Sequence, residues 1–163
     1  MRLRLLTSRP CRIALGILAI AVPALADAPK NPPQYDQFDR DALEIKDRFT
    51  GLVWDRRRVQ GGLSESGGQL YCNQTVFPGA GRLPSVKELL TLVDEEPHQD
   101  YDGTKIIQKS IDQLAFPDTS TPTTLPYWTS TPAPGGKFWT VEFSSGRTEP
   151  KDLATKLNVR CVK

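Results

Sequence analysis

Arg82-Leu83-Pro84-Ser85-Val86-Lys87-Glu88-Leu89-Leu90-Thr91-Leu92-Val93 is the stretch on which the reading of the fold turns. Ser85 and Glu88 stand in S-x-x-E capping-box spacing, in which each side chain satisfies a backbone N–H of the first helical turn. Val86, Leu89, Leu90 and Val93 then fall at i, i+3, i+4 and i+7, one apolar stripe, with Lys87, Glu88, Thr91 and Asp94 off it. The pattern predicts a helix that opens at Ser85 and packs its stripe into a core. Just before it, Gly79-Ala80-Gly81 lacks the Gly-Lys-Ser/Thr ending of a phosphate loop and reads as a turn.

Upstream, Ala42-Leu43-Glu44-Ile45-Lys46 alternates apolar with polar, and Leu52-Val53-Trp54 follows across Gly51. That is a hairpin with Gly51 in its turn. Between 61 and 71 lie four glycines, Gly61, Gly62, Gly67 and Gly68, each costing a helix about 1 kcal/mol against Ala, so a helix there depends on packing and on Cys72. Downstream, residues 95–126 are polar and rich in Thr and Pro, a long loop region with one apolar island at Ile106-Ile107. The final third is strand-like. Tyr127-Trp128-Thr129-Ser130-Thr131 is β-prone, and 138–143 alternates, with Trp139, Val141 and Phe143 on one face and Phe138, Thr140 and Glu142 on the other. A Ser144-Ser145-Gly146 turn follows, and Val159-Arg160-Cys161-Val162 reads as the last strand.

The chain has 163 residues, 38% hydrophobic and 25% charged, the composition of one ordinary globular domain. Its net charge of +2 argues for no nucleic-acid footprint, and it is an average over two unlike segments. Residues 2–12 carry Arg2, Arg4, Arg9 and Arg12 without an acid, 13–21 is an unbroken run of apolar residues and Gly, and Pro23 precedes Ala24-Leu25-Ala26. This is the pattern of a signal peptide cut after Ala26. Its apolar stretch, 13–26, is shorter than the roughly 20 residues of a bilayer-spanning helix, so no transmembrane anchor is expected after processing; a retained anchor is the alternative. Cys11 precedes the apolar run and leaves with the leader. What remains is 137 residues with four fewer arginines, hence a charge of −2, and two cysteines, Cys72 and Cys161. In an oxidising compartment these are expected to pair, closing a loop of about 90 residues that loop-closure entropy values at roughly 4–5 kcal/mol. Two buried free thiols are the alternative. Residues 27–34 contain Pro29, Pro32 and Pro33 and read as a flexible tether, with the domain spanning 35–163.

Seven motifs stand in order along this domain: Thr50-Gly51-Leu52-Val53-Trp54, Tyr71-Cys72, Arg82-Leu83-Pro84-Ser85-Val86-Lys87-Glu88-Leu89, Phe116-Pro117-Asp118-Thr119, Tyr127-Trp128-Thr129-Ser130-Thr131, Phe138-Trp139-Thr140-Val141-Glu142-Phe143 and Val159-Arg160-Cys161-Val162. Together they resemble the bacterial DUF1566 family, the domain at the C-terminus of the Legionella collagen-like protein. The resemblance implies an α+β, C-type-lectin-like fold, with two helices flanking small antiparallel sheets, a long loop region and N- and C-terminal strands brought together. It also implies one disulfide from the end of the first helix to the last strand, the positions of Cys72 and Cys161. The chain departs from the family at Gly81, where a tryptophan is common, and at Gly61-Gly62-Leu63, where the first helix usually opens with a tryptophan.

Few residues suggest chemistry. The single histidine, His98, lies in a polar loop, and with both cysteines committed to a bridge neither a catalytic triad nor a zinc site is supplied. The acidic stretch 94–102 offers Asp100 and Asp102 as weak calcium candidates, but an EF-hand loop built on Asp102-Gly103 would place His98 at its first ligand position and Lys109 at its last, and the sugar-binding motifs of calcium-dependent lectins are missing. No cofactor is expected. Arg56-Arg57-Arg58 could meet an acidic polysaccharide or lipid surface, or be a solvated strand end. Tyr127, Trp128 and Trp139 could offer stacking faces to sugar rings, or be core. The expectation is an exported, periplasmic or secreted, non-enzymatic binding module whose partner is a surface polysaccharide or an envelope or extracellular protein, with no nucleic-acid partner. An envelope enzyme of related fold and a purely structural envelope component are its rivals. A pair of exposed carboxylates or a deep polar cleft would favour the enzyme, and a shallow, aromatic or loop-lined face the binder.

Overall fold

The hairpin read around Gly51 forms as β1 (Glu44–Lys46) and β2 (Val53–Asp55), paired antiparallel with Ile45 opposite Trp54 and Gly51 at φ +75° in the connection. The structure is a computed structural model that describes residues 34–36, 41–57, 59, 62–94, 98–101, 104, 106–117 and 125–163. The leader, tether residues 27–33, Arg58 and Asp102 lie outside the described residues. Gln34, read as the end of the tether, belongs to the fold: its carbonyl accepts from Arg48 N–H at 2.7 Å, and Tyr35 bridges Asp47 antiparallel, extending the first hairpin by a further segment.

The glycine-rich segment does form a helix, α1 (Glu65–Tyr71), capped by Ser64, whose hydroxyl accepts from Gly67 N–H. It runs on through a π-helical turn, Cys72–Val76. Packing explains the poor propensity. A Cβ on buried Gly68 would lie 2.9 Å from Val159 Cγ2 and 3.3 Å from Leu83 Cδ2, so the glycine lets the helix approach the C-terminal segment closely. A Cβ on Gly81 would lie 2.0 Å from the Cys72 carbonyl oxygen, and no side-chain rotation relieves a contact with backbone. The chain's departure at Gly81 is therefore a requirement of its own geometry.

The capping box is present at α2 (Val86–Leu90). Ser85 Oγ accepts from Glu88 N–H at 3.2 Å, and Ser85 N–H donates back to Glu88 Oε2 at 2.7 Å. Arg82 grips the same carboxylate with two bonds of 2.8 Å, and this pair, with the Ser85 bonds, holds the Glu88 carboxyl down to about 2. The expected stripe is corrected at its end. The helix stops at Leu90 and tightens, with Thr91, Leu92 and Val93 N–H each bonding three residues back. Three residues per turn puts Leu92 over Leu89, so both are buried while Leu90 turns outward, 37% exposed.

Within the expected loop region lies a second hairpin, β3 (His98–Tyr101) against β4 (Ile106–Lys109), with Tyr101 opposite Ile106. The apolar island is thus a strand. Tyr101 and Ile106 are both largely exposed, which is why no buried alternation marks the hairpin in the sequence. Beyond it Ile111, Ala115 and Phe116 enter the core. The third sheet is β5 (Tyr127–Ala133), β6 (Lys137–Val141) and β7 (Thr148–Lys151), a meander with a register shift between Trp128 and Pro132. Helices and small antiparallel sheets segregated along the chain make this an α+β domain.

The C-terminal residues do not form the regular strand expected. They run extended and change partner every residue or two. Leu157 exchanges both bonds with Leu63, and Asn158 pairs with Pro126 and Trp128. Cys161 C=O accepts from Asp55 N–H, Val162 exchanges both bonds with Arg82, and Lys163 exchanges both with Val53. Cys161 is bonded to Cys72, with Cα atoms 5.2 Å apart and a sequence separation of 89. Two buried clusters flank this segment: Tyr35, Ile45, Trp54, Leu89, Phe116, Tyr127 and Val162 belong to one, and the disulfide, Phe77, Leu83, Trp128, Leu157 and Val159 to the other.

Gly81→Ala is expected to destabilise the domain by about 3 kcal/mol, at the upper end of overpacking costs. A thermal melt should show it as a large fall in Tm, and an unchanged Tm would contradict the close approach of Gly81 to Cys72. Trp128→Ala, which empties a position with no solvent exposure, is expected to cost about 3–5 kcal/mol in urea denaturation. A loss under about 1 kcal/mol would mean the indole is not core.

Candidate functional site

Three stretches far apart in sequence meet in an open cleft of about 330 Å³ lined by Gln34, Tyr35, Leu92, Val93, Asp94 and Asp112. Each wall is held by identifiable bonds. Gln34 Nε2 donates to Asp47 Oδ2 and to Thr91 C=O, both at 3.1 Å, which ties the first wall to the end of α2. Asp47 is fully buried, and its other oxygen accepts from Phe49 and Thr50 N–H, so one carboxylate shapes the hairpin turn and anchors Gln34. Leu92 and Val93 come from the tightened turn after α2, and Asp94 N–H donates to Ser110 C=O at 2.8 Å. Ser110 N–H in turn donates to Phe143 C=O, fixing the third wall to the end of β6. Asp112 Oδ1 accepts from Leu114 N–H at 2.7 Å and Ala115 N–H at 3.1 Å, an Asx turn in a residue that also lines the cleft.

Tyr35 is the residue that joins the cleft to the core. Its ring meets Phe116 edge-on, with centroids 5.6 Å apart. Also against Phe116 is the Arg160 guanidinium, 4.4 Å from the ring centroid and 5.5 Å from that of Tyr127. Arg160 has no solvent exposure, and its Nη1 donates to Asp55 C=O at 2.8 Å. Its Nε and Nη2 find no hydrogen-bond acceptor among the described residues, so the two ring faces carry part of the cost of burying this cation. Tyr35 is only 7% exposed, yet its hydroxyl makes no hydrogen bond among the described residues. Burial, with Asp47 and Asp112 close by, pushes the phenol well above its ordinary value, so it remains protonated.

The residues singled out from sequence take other places. Trp128 is fully buried, with its indole N–H donating to Leu63 C=O at 2.8 Å, and Tyr127 packs edge-on against Phe143 in the core. Neither presents a stacking face, so of the two readings open for these residues the structure supports core. Trp139, on β6, is half-buried, and lies apart from the cleft lining. Arg56 is buried and spends its guanidinium on three backbone carbonyls, those of Ala115, Ala42 and Leu114, at 2.8, 2.6 and 3.0 Å. It is a clamp between distant segments and not a surface cation, which corrects the expectation. Arg57 keeps part of its surface and bonds buried Asp55 at 2.9 Å, which raises its pKa. Arg58 and Asp102 lie outside the described residues. Asp100 and His98 sit in β3 opposite Ile107 and Lys109, so His98 is a strand residue and not the loop residue expected. Among the described residues no three His, Cys, Asp or Glu side chains are grouped to hold a metal ion.

Gln34, Tyr35 and Asp112 carried no functional signal in the sequence. The nearest thing to one is Asp112 standing two and three residues before Leu114 and Ala115, the spacing of an Asx turn, which announces a turn and says nothing of a cleft. Asp94 was visible as a residue off the helix stripe and as the start of the acidic stretch weighed for calcium, not as part of a cleft.

The profile of the Lcl C-terminal domain family matches residues 44–163. No curated protein and no solved structure matches the chain significantly. The match takes in Leu92, Val93, Asp94 and Asp112 and begins after Gln34 and Tyr35, so the cleft combines family positions with a wall the profile does not cover. The chain belongs to the Lcl C-terminal domain family.

Proposed function

We propose that the protein is an exported, non-enzymatic binding module of C-type-lectin-like fold, acting in the periplasm or outside the cell, whose cleft takes a surface glycan. The observation that carries this reading is the pairing, in one open cleft, of apolar side chains with a few fixed polar groups: Leu92 and Val93 beside Gln34, Tyr35, Asp94 and Asp112. A sugar ring offers the complement, an apolar face and a rim of hydroxyls. Export is supported by the leader pattern and by the Cys72–Cys161 bridge, which suits an oxidising compartment.

The rival enzyme reading draws on the same two carboxylates, Asp94 and Asp112. Against it stands the employment of Asp112, whose Oδ1 is held by two backbone N–H groups and shapes its own turn. A carboxylate so engaged is a fixed acceptor, better suited to orienting a ligand than to moving a proton. An envelope protein is the alternative ligand, and a structural envelope role the remaining rival.

Co-sedimentation of the protein with purified envelope polysaccharides, beside a glycan array, tests the reading. A polysaccharide is expected to retain the wild-type chain unchanged in length, with retention falling about tenfold in Asp94→Asn, the loss of one charge-assisted hydrogen bond. Absence of any retention, or shortening of the polysaccharide during incubation, would overturn it.

A further inference from the structure

The polar groups of the cleft can be taken one by one as donors and acceptors. Both N–H bonds of the Gln34 amide are used, on Asp47 and on Thr91 C=O, so what it offers a ligand is Oε1, an acceptor. Asp94 and Asp112 contribute carboxylates, which accept and do not donate when ionised. Tyr35 adds a hydroxyl that is unpartnered among the described residues, on a side chain more than nine-tenths buried that lines the cleft. Among the described residues, no Lys or Arg lines the cleft. Buried Asp47 lies directly behind the Gln34 wall and adds negative potential to the same face. A neutral sugar hydroxyl, which both donates and accepts, would find only the Tyr35 hydroxyl able to donate to it among the lining side chains described. A sulfate, phosphate or carboxylate would find acceptors and like charge.

We propose that the cleft selects a protonated primary amine, and that its ligand is a glycan bearing free amino groups, a chain of de-N-acetylated amino sugars. This rests on the glycan-binding reading and names the class of sugar. An ammonium carries three N–H donors and a full positive charge, and the cleft presents to it Gln34 Oε1, the Asp112 carboxylate and the Tyr35 hydroxyl, with Asp94 in the same lining. N-acetylation would remove the charge and add a methyl and a carbonyl. The carbonyl would then face lining side chains of which, among the described residues, only the Tyr35 hydroxyl donates. The selectivity is a difference of affinities built on mismatch as well as on attraction.

The experiment is calorimetric titration of the protein with a β-1,4-glucosamine hexamer and, separately, with its fully N-acetylated counterpart. The free-amine hexamer should bind about tenfold or more tighter than the acetylated one, the scale of one well-placed ion pair in a partly desolvated site. Asp112→Asn keeps an oxygen for its turn and removes the charge, and should abolish most of that preference while leaving the Tm unchanged. Tyr35→Phe should weaken the amine-bearing chain several-fold. High salt should narrow the gap between the two hexamers. Equal binding of both hexamers, with Tyr35→Phe weakening both, would overturn the amine assignment and leave the glycan reading intact. Binding of neither, together with an array on which no glycan is retained, would remove both. A lysine-rich peptide bound more tightly than the glucosamine hexamer would overturn the assignment to a sugar.

Discussion

The passage of the extended C-terminal segment through the middle of the domain is the constraint on which the other elements depend. Leu63, Trp128, Arg82, Asp55 and Val53 each receive or give a backbone bond to it in turn, and these residues introduce α1, β5, α2 and β2. The segment therefore acts as a common partner for elements that scarcely pair with one another. Such a strap holds only if it cannot slip, and two features fix its register. Cys161 is covalently joined to Cys72 at the end of α1, and Gly68 lets that helix lie directly against Val159. A bridge closing so long a loop removes much of the freedom of the unfolded chain, by roughly 4–5 kcal/mol on the entropic account. For a domain with small sheets and short helices this is a large share of ordinary net stability.

The same strap supports the cleft from behind. Arg160, one residue before the disulfide, is the buried cation against which Phe116 lies, and Phe116 in turn backs the ring of Tyr35. The order of side chains from disulfide to cleft is thus Arg160, Phe116, Tyr35. Asp47 and Gln34 fasten the opposite edge to the last turn of α2. A cleft braced through buried groups loses little conformational entropy when a ligand arrives, which favours a module whose task is to hold. Tyr35 lies outside the span matched by the family profile, so the residue that gives this cleft its hydroxyl precedes the family-matched positions.

What could be read from the sequence was what depends on near neighbours or on counting. The capping box at Ser85 and Glu88 involves residues three apart, the first hairpin is local, and the cysteine pair follows once the odd cysteine is assigned to the leader. What could not be read depends on tertiary partners. Leu90 and Leu92 exchange places because a helix tightened at its last turn, a choice set by what α2 meets after five residues. Tyr127 and Trp128 resemble ligand-stacking aromatics as much as core residues until their neighbours are known. Arg56 resembles a surface charge until the carbonyls of Ala42, Leu114 and Ala115 converge on it. The cleft itself is invisible in the sequence, since its walls are drawn from positions 34–35, 92–94 and 112.

The dependence of the domain on its C-terminal strap is open to direct measurement by amide hydrogen exchange on the oxidised protein and again after reduction of Cys72–Cys161. With the bridge intact, the amides of Val53, Asp55, Arg82, Trp128, Val162 and Lys163 should exchange with the slowest group in the domain, because each is bonded across the strap. After reduction their protection should fall together. Protection at these amides that is no greater than in the exposed turns of the oxidised protein, or that is unchanged by reduction, would contradict the account.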